Sequence, residues 1–174
     1  MTSGVNKTKR IAVLSMLSAL GVVILYAGAL ISVMDISAAV IASLLAVFAV
    51  IEYGKGAPWL VFAVTSLLAL LLLPQKTPAV MYALFFGYYP ILKGIFEKRG
   101  RISSWVLKEI SFHIALAAIY FAMRVLAFES VDMPVPMLAL TVVLCEVIFP
   151  LYDVALTRVI SLYIYRLRDR LKIK

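Results

Sequence analysis

Three apolar stretches in the C-terminal half of the chain carry titratable side chains at helical spacing. With successive residues about 100° apart, as on an α-helix, these side chains fall on one stripe of each stretch. A charge in hydrocarbon is costly, so such groups are expected to pair, to relay protons or to hold a ligand. The stripes consist of Tyr82, Phe86, Tyr89, Lys93 and Glu97; of Glu109, His113, Tyr120 and Arg124; and of Glu146, Pro150, Asp153, Thr157 and Ser161.

These polar residues do not form a recognised catalytic or metal-binding pattern. Cys145 is the only cysteine and His113 the only histidine, which disfavours both a disulfide framework and a zinc site. The sequence has no glycine-rich phosphate loop, no His-Glu-x-x-His and no Gly-x-Ser-x-Gly. We therefore predict a protein that is not an enzyme and that needs no metal or cofactor. Any uphill transport would take its energy from a partner or an ion gradient.

The elements that must position the polar stripes are membrane helices. Of the 174 residues 64% are hydrophobic, and the mean hydropathy of +1.05 exceeds what a soluble domain carries. Six windows approach or exceed the ~17–25 residues that a helix needs to cross a bilayer. The predicted fold is all-α, a single domain over residues 1–174 that forms a bundle of six transmembrane helices, with spans at about 11–33, 36–53, 57–73, 78–96, 105–127 and 136–165.

Lysine and arginine predict how this bundle is oriented. Short loops rich in these residues stay in the cytoplasm, and here they precede the first span, follow the second and fourth, and close the chain. We expect a multi-pass protein of the cell membrane with both termini cytoplasmic. The net charge of +8 then reflects orientation and attraction to anionic lipids, and no nucleic-acid partner is expected. The residues are Lys7, Lys9, Arg10, Lys55, Lys98, Arg99, Arg101, Arg166, Arg168, Arg170, Lys172 and Lys174.

The first span places small side chains on one side, at Ala12, Ser15 and Ala19. Small residues at this spacing let another helix approach closely, which is how helices associate within a membrane. Two interpretations follow from the residues alone. The face packs against a helix of the same chain, or it docks a separate membrane subunit.

The stretches "KTKRIAVLSMLSALGVV" and "VMDISAAVIASLL", within a chain of this length and six predicted spans, resemble the substrate-binding S component of an energy-coupling factor (ECF) transporter. The resemblance implies a subunit that captures a vitamin or a metal ion from the outer side of the membrane. It also implies two kinds of partner, a transmembrane coupling protein and a pair of ATPases. Ala12, Ser15 and Ala19 would then form the docking surface for the coupling protein.

Two other functions remain open from the sequence. One is a non-transporting scaffold subunit of a cell-envelope or membrane complex, in which the polar network is purely structural and no ligand binds. The other is a small ion- or proton-coupled carrier that uses Glu146, His113 and Asp153. An intramembrane enzyme ranks last, because no nucleophile and base are paired.

The polar stripes predict an internal network formed by Lys93, Asp153, Glu109 and His113. Lys93 is expected to pair with Asp153 first and Glu109 second, whereas the alternative is an ammonium group that snorkels to the inner interface. His113 is expected to be neutral and hydrogen-bonded, although its ordinary pKa near neutrality allows a role in proton coupling.

An importer must capture its substrate from the medium, so we expect the binding site to open outward between the last three spans. Arg124 is the principal candidate, because a guanidinium group suits a carboxylate or phosphate on the ligand. The alternative is that Arg124 pairs with Glu129 or Asp132 at the interface. The predicted lining residues are Tyr82, Tyr120 and Arg124, with Asp35 and Lys76 at the lid and Glu146 at the floor.

Overall fold

The computed structural model describes residues 2–54, 56–126 and 134–167, and all regular structure in these ranges is helical. The chain divides into two compact units, Met1–Glu129 and Ser130–Lys174, which we call the N-terminal and C-terminal units. The helices are α1 (Thr2–Ala29), α2 (Asp35–Tyr53), α3 (Ala57–Leu72), α4 (Thr77–Met81), α5 (Tyr89–Phe96), α6 (Arg101–Leu126) and α7 (Val135–Leu162).

Five apolar segments of the described chain are long enough to cross a membrane, which fits the predicted multi-pass membrane protein. They are Lys7–Ala29, Asp35–Tyr53, Thr77–Phe96, Arg101–Val125 and Val135–Arg166. The predicted span at 57–73 corresponds to α3, an apolar helix of 16 residues, which is slightly shorter than the usual minimum of about 17. Lys55 and the basic residues from Arg168 onward, which entered the prediction of orientation, lie outside the described residues.

The N-terminal unit is held together by small side chains that let its first three helices approach closely. A Cβ atom added to Gly28 of α1 would collide with the Cβ atom of Ala38 in α2. One added to Gly21 would lie 2.9 Å from the side chain of Thr65 in α3. Alanine dominates the buried side of α2, including Ala42 and Ala46. Since lipid is as apolar as leucine, close backbone approach and dispersion contacts are what stabilise such a seam.

The segment predicted as the fourth span is a helix with a widened turn. After α4, residues Tyr82–Phe86 form a π-helical turn, and α5 begins at Tyr89 with Pro90 in its first turn. Proline is tolerated there because the first N–H groups of a helix have no intrahelical partner. Gly87 avoids a clash at the break, since an added Cβ would lie 2.7 Å from the rings of both Phe62 and Tyr82.

The described part of the C-terminal unit is α7, extended by a π-helical turn at Tyr163–Leu167. Pro150 lies inside this helix. Hydroxyl groups at Thr157 and Ser161 donate hydrogen bonds of 2.9 Å to the carbonyl oxygens of Asp153 and Thr157, four residues earlier. These polar side chains are therefore satisfied within their own helix, as is usual for hydroxyls in apolar helices.

Candidate functional site

Two buried lysines share one carboxylate where α5 ends and α6 begins. The Nζ atom of Lys93 lies 2.7 Å from Oε1 of Glu97, and the Nζ atom of Lys108 lies 2.9 Å from the same oxygen. The lysine side chains are 1% and 4% exposed, whereas that of Glu97 is 44% exposed. Both lysines therefore extend from within a candidate membrane span toward a carboxylate just beyond the end of the first of these spans.

The charges around Glu97 control its protonation. Burial by itself raises the pKa of the Glu97 carboxyl group. Hydrogen bonds from Lys93 and Lys108, together with their positive charges, outweigh that effect and hold the pKa below its ordinary value. The carboxylate is therefore ionised at neutral pH.

A second polar group lies at the opposite end of the N-terminal unit, where α2 begins and α3 ends. Asp35 is buried, and its Oδ2 atom accepts a hydrogen bond of 3.2 Å from Nε2 of Gln75. Its Oδ1 atom is also buried and has no hydrogen-bond partner among the described residues. Lys76 donates to the carbonyl oxygens of Leu70 and Leu73, at 2.8 and 2.7 Å, and so satisfies the end of α3.

Tyr82, which the sequence analysis places in a ligand pocket, lies in the core of the N-terminal unit. It is 1% exposed and packs with aliphatic residues of α1, α2 and α3. Its hydroxyl group shares a hydrogen bond with the side chain of Thr65. Thr65 in turn donates to the carbonyl oxygen of Ser18, at 3.4 Å. This chain of bonds links α1, α3 and the widened turn.

The two other candidates on α6 for ligand contact lie side by side. The guanidinium carbon of Arg124 lies 5.5 Å from the centre of the Tyr120 ring, within the range of a cation–π interaction. Because α6 runs away from the Glu97 end, this pair belongs to the end of the unit at which Asp35 lies. Glu129 and Asp132, the alternative partners of Arg124, lie outside the described residues.

The remaining predicted polar residues are divided between the two units. His113 on α6 is exposed, and its Nδ1 atom donates to the carbonyl oxygen of Glu109, at 2.8 Å. Glu109 is half-buried. In the C-terminal unit, Asp153 is buried and Glu146 is half-buried. The structure thus describes Glu109 and His113 on one helix and the two other carboxylates on α7.

The small-residue face of α1 is on the outside of the fold. Ala12, Ser15 and Ala19 are all exposed, while Ser18 and Gly21 lie on the neighbouring face that packs inside. Ser15 and Ala19 border an apolar groove of about 380 Å³ between α1 and α3. The groove is lined by Ile11, Leu14, Ser15, Ser18, Ala19, Leu60, Val61, Val64 and Leu68.

From the sequence alone, Glu97 was placed on a polar stripe without an assigned partner, and Lys108 and Gln75 were not considered. Glu97 stands four residues after Lys93, a spacing that already predicts an ion pair on one helix. Lys108 and Gln75 gave no comparable signal, because each bonds a residue that is distant in the sequence or on another helix.

No family model matches the chain, and neither a curated protein nor a solved structure is similar enough to count as a relative.

Proposed function

We propose that this chain is the substrate-capture subunit, of the S-component type, of an ECF-type importer for a vitamin-like small molecule, energised by partner ATPases. The observation that carries the proposal is that the small-residue face of α1 is exposed on the surface of the fold. Within the described residues, α1 uses its other face for internal packing, so Ala12, Ser15 and Ala19 remain available to a partner.

The groove beside that face suits a transmembrane helix of a coupling protein. One wall is formed by small side chains of α1, which permit close backbone approach, and the other by aliphatic side chains of α3. In lipid, such an interface is stabilised by dispersion contacts and shape. A helix laid along α1 would cover Ser15 and Ala19 directly.

The polar end of the N-terminal unit supports the capture role. Asp35 offers a buried oxygen that has no hydrogen-bond partner in the described part of the chain, and an unsatisfied buried acceptor is costly unless a donor reaches it. Arg124 with Tyr120 adds a cation over an aromatic ring at this end. In this proposal the Asp35 end faces the medium, both termini are cytoplasmic, and a ligand with both donor groups and an anionic group binds there.

The proposal is tested by affinity purification of the tagged chain from mild detergent, with partners identified by mass spectrometry. A coupling protein and its ATPases should co-purify with the wild type. Ser15→Trp should abolish their recovery by filling the groove, while the subunit itself stays folded. Met16→Trp is the matched control, because Met16 is 71% exposed and does not line the groove.

The same purification separates this function from a non-transporting scaffold, for which the exposed face of α1 would serve equally well. The scaffold function would be supported, and the importer function rejected, if cell-envelope proteins were recovered in place of ATPases and native mass spectrometry showed no retained small molecule. Equal loss of partners in Ser15→Trp and Met16→Trp would show that the groove is not the docking surface.

A further inference from the structure

A cavity lies directly beside the ion pairs of Glu97. Its volume is about 280 Å³, and it is lined by Glu97, Gly100, Arg101, Ser104, Trp105 and Lys108. This is smaller than the about 300–1,000 Å³ of sites for drug-sized ligands. The size suits a small ion or the head of a larger molecule.

The charge of the lining favours an anion. Arg101 and Lys108 supply two positive charges, and Glu97 supplies one negative charge. That negative charge is already engaged, since Glu97 also bonds Lys93. An anion entering the cavity would therefore meet a net positive surface whose one carboxylate is held by ammonium groups.

The start of α6 adds a second favourable contribution. Its first turn contains no acidic side chain, and Gly100, which precedes it, has no side chain that could cap the helix. The positive φ of 95° at Gly100 favours glycine at this turn. A helix N-terminus carries partial positive charge, which attracts anions such as phosphate.

The location and one aromatic side chain indicate where the anion comes from. One candidate membrane span ends at Phe96 and the next begins at Arg101, so we expect the cavity to open at the boundary of the bilayer. The Nζ atom of Lys108 lies 5.3 Å from the centre of the Trp105 ring. Tryptophan concentrates at this depth of a membrane, next to lipid head groups. Basic pockets between membrane helices bind phosphorylated head groups.

We propose that this cavity binds a phosphate group, with Arg101 and Lys108 as its cationic ligands and the first turn of α6 as its floor. The group is carried by an anionic phospholipid at the membrane surface or by a soluble phosphate. Glu97 acts as the positioning residue, because it holds both buried lysines at one end of the cavity.

Trp105 provides a direct reporter for the test. The chain has two tryptophans, so the Trp59→Phe variant leaves Trp105 as the only one. Its emission is followed in dodecyl maltoside during titration with inorganic phosphate, with sodium chloride at equal ionic strength as the reference. A second titration uses mixed micelles with phosphatidylglycerol, against phosphatidylcholine as the reference.

A saturable change with phosphatidylglycerol alone supports the site and assigns it to a lipid head group. A change with inorganic phosphate as well supports the site and shows that the phosphate group is sufficient. Arg101→Gln should raise the half-saturating concentration at least tenfold, which corresponds to about 1.4 kcal/mol. Arg101 is exposed, so this variant should fold, as circular dichroism would verify.

Arg99→Gln is the matched control, because Arg99 is exposed, lies in the same turn and does not line the cavity. It should change the half-saturating concentration less than twofold. An equal weakening in Arg99→Gln and Arg101→Gln would attribute binding to general surface charge and overturn the proposal. So would the absence of a saturable change with both phosphate probes.

Discussion

Glu97 is the side chain whose removal should reveal how the two buried lysines are tolerated. Replacing it by glutamine keeps the shape and removes the charge that Lys93 and Lys108 share. The lysine side chains are 1% and 4% exposed, so water cannot take over the role of the carboxylate without rearrangement. Removing one partner of a buried ion pair typically costs about 3–5 kcal/mol.

The magnitude should lie at the lower end of that range. The Glu97 side chain is 44% exposed, and water screens its interaction with each ammonium group. The substitution affects two lysines at once, which raises the expected cost in free energy. We therefore expect Glu97→Gln to lower the free energy of unfolding by about 3 kcal/mol.

The measurement is unfolding by sodium dodecyl sulfate in mixed micelles, followed by far-ultraviolet circular dichroism. A double-mutant cycle with Lys93→Met isolates the pair, because the effect of Glu97→Gln should be smaller when Lys93 is already absent. The difference is expected to be about 1–2 kcal/mol, within the range usual for residues in contact. If Glu97→Gln costs the same in both backgrounds, the two side chains are not coupled and the reasoning is refuted.

The dependence of stability on pH provides an independent test of the role of Glu97. Since the pKa of Glu97 in the folded state is held below its ordinary value of 4.5, its stabilising effect is present above that pH. The effect is lost as the pH falls through the pKa of the folded state. In this acid range the wild-type protein should therefore lose stability as the pH falls, and the Glu97→Gln variant should not show this part of the loss.

Two further substitutions test the packing and the helix ends of the N-terminal unit by the same unfolding assay. Gly87→Ala should destabilise by about 1–3 kcal/mol, because its Cβ would lie 2.7 Å from the Tyr82 ring. Gly94→Ala, whose Cβ would lie 3.9 Å from the side chain of Val50, should be neutral or stabilising, and equal effects at both glycines would contradict the packing argument. Lys76→Met should cost about 1.5–3 kcal/mol by removing two charge-assisted bonds to carbonyls of α3, and unchanged stability would show that those bonds contribute nothing.

The membrane helices were predictable because hydropathy is a property of local sequence. The predicted span at 36–53 differs from α2 by one residue at its start. The widened turn at Tyr82–Phe86 was not predicted. Its position depends on how the Tyr82 and Phe62 rings fit around Gly87, and these residues are separated in sequence.

The polar contacts were predictable from sequence only where both partners lie close together on one helix. Apolar surroundings identified Lys93 as a residue that needs a carboxylate, and the spacing to Glu97 was available in the sequence. The participation of Lys108 depends on the way α6 folds back beside α5, which no local pattern encodes. The same is true of Asp35, whose partner Gln75 lies 40 residues away.

The short length of α3 has a consequence for the surrounding membrane. Sixteen residues rise only about 24 Å, whereas the hydrocarbon layer is about 30 Å thick. Lipids beside this helix must compress, or the polar end of the helix must enter the acyl region. Lys76 eases the second route, because its ammonium group satisfies carbonyls of Leu70 and Leu73 that lipid tails cannot. A partner helix docked in the groove on α1 and α3 would replace lipid beside this short helix and so reduce the mismatch.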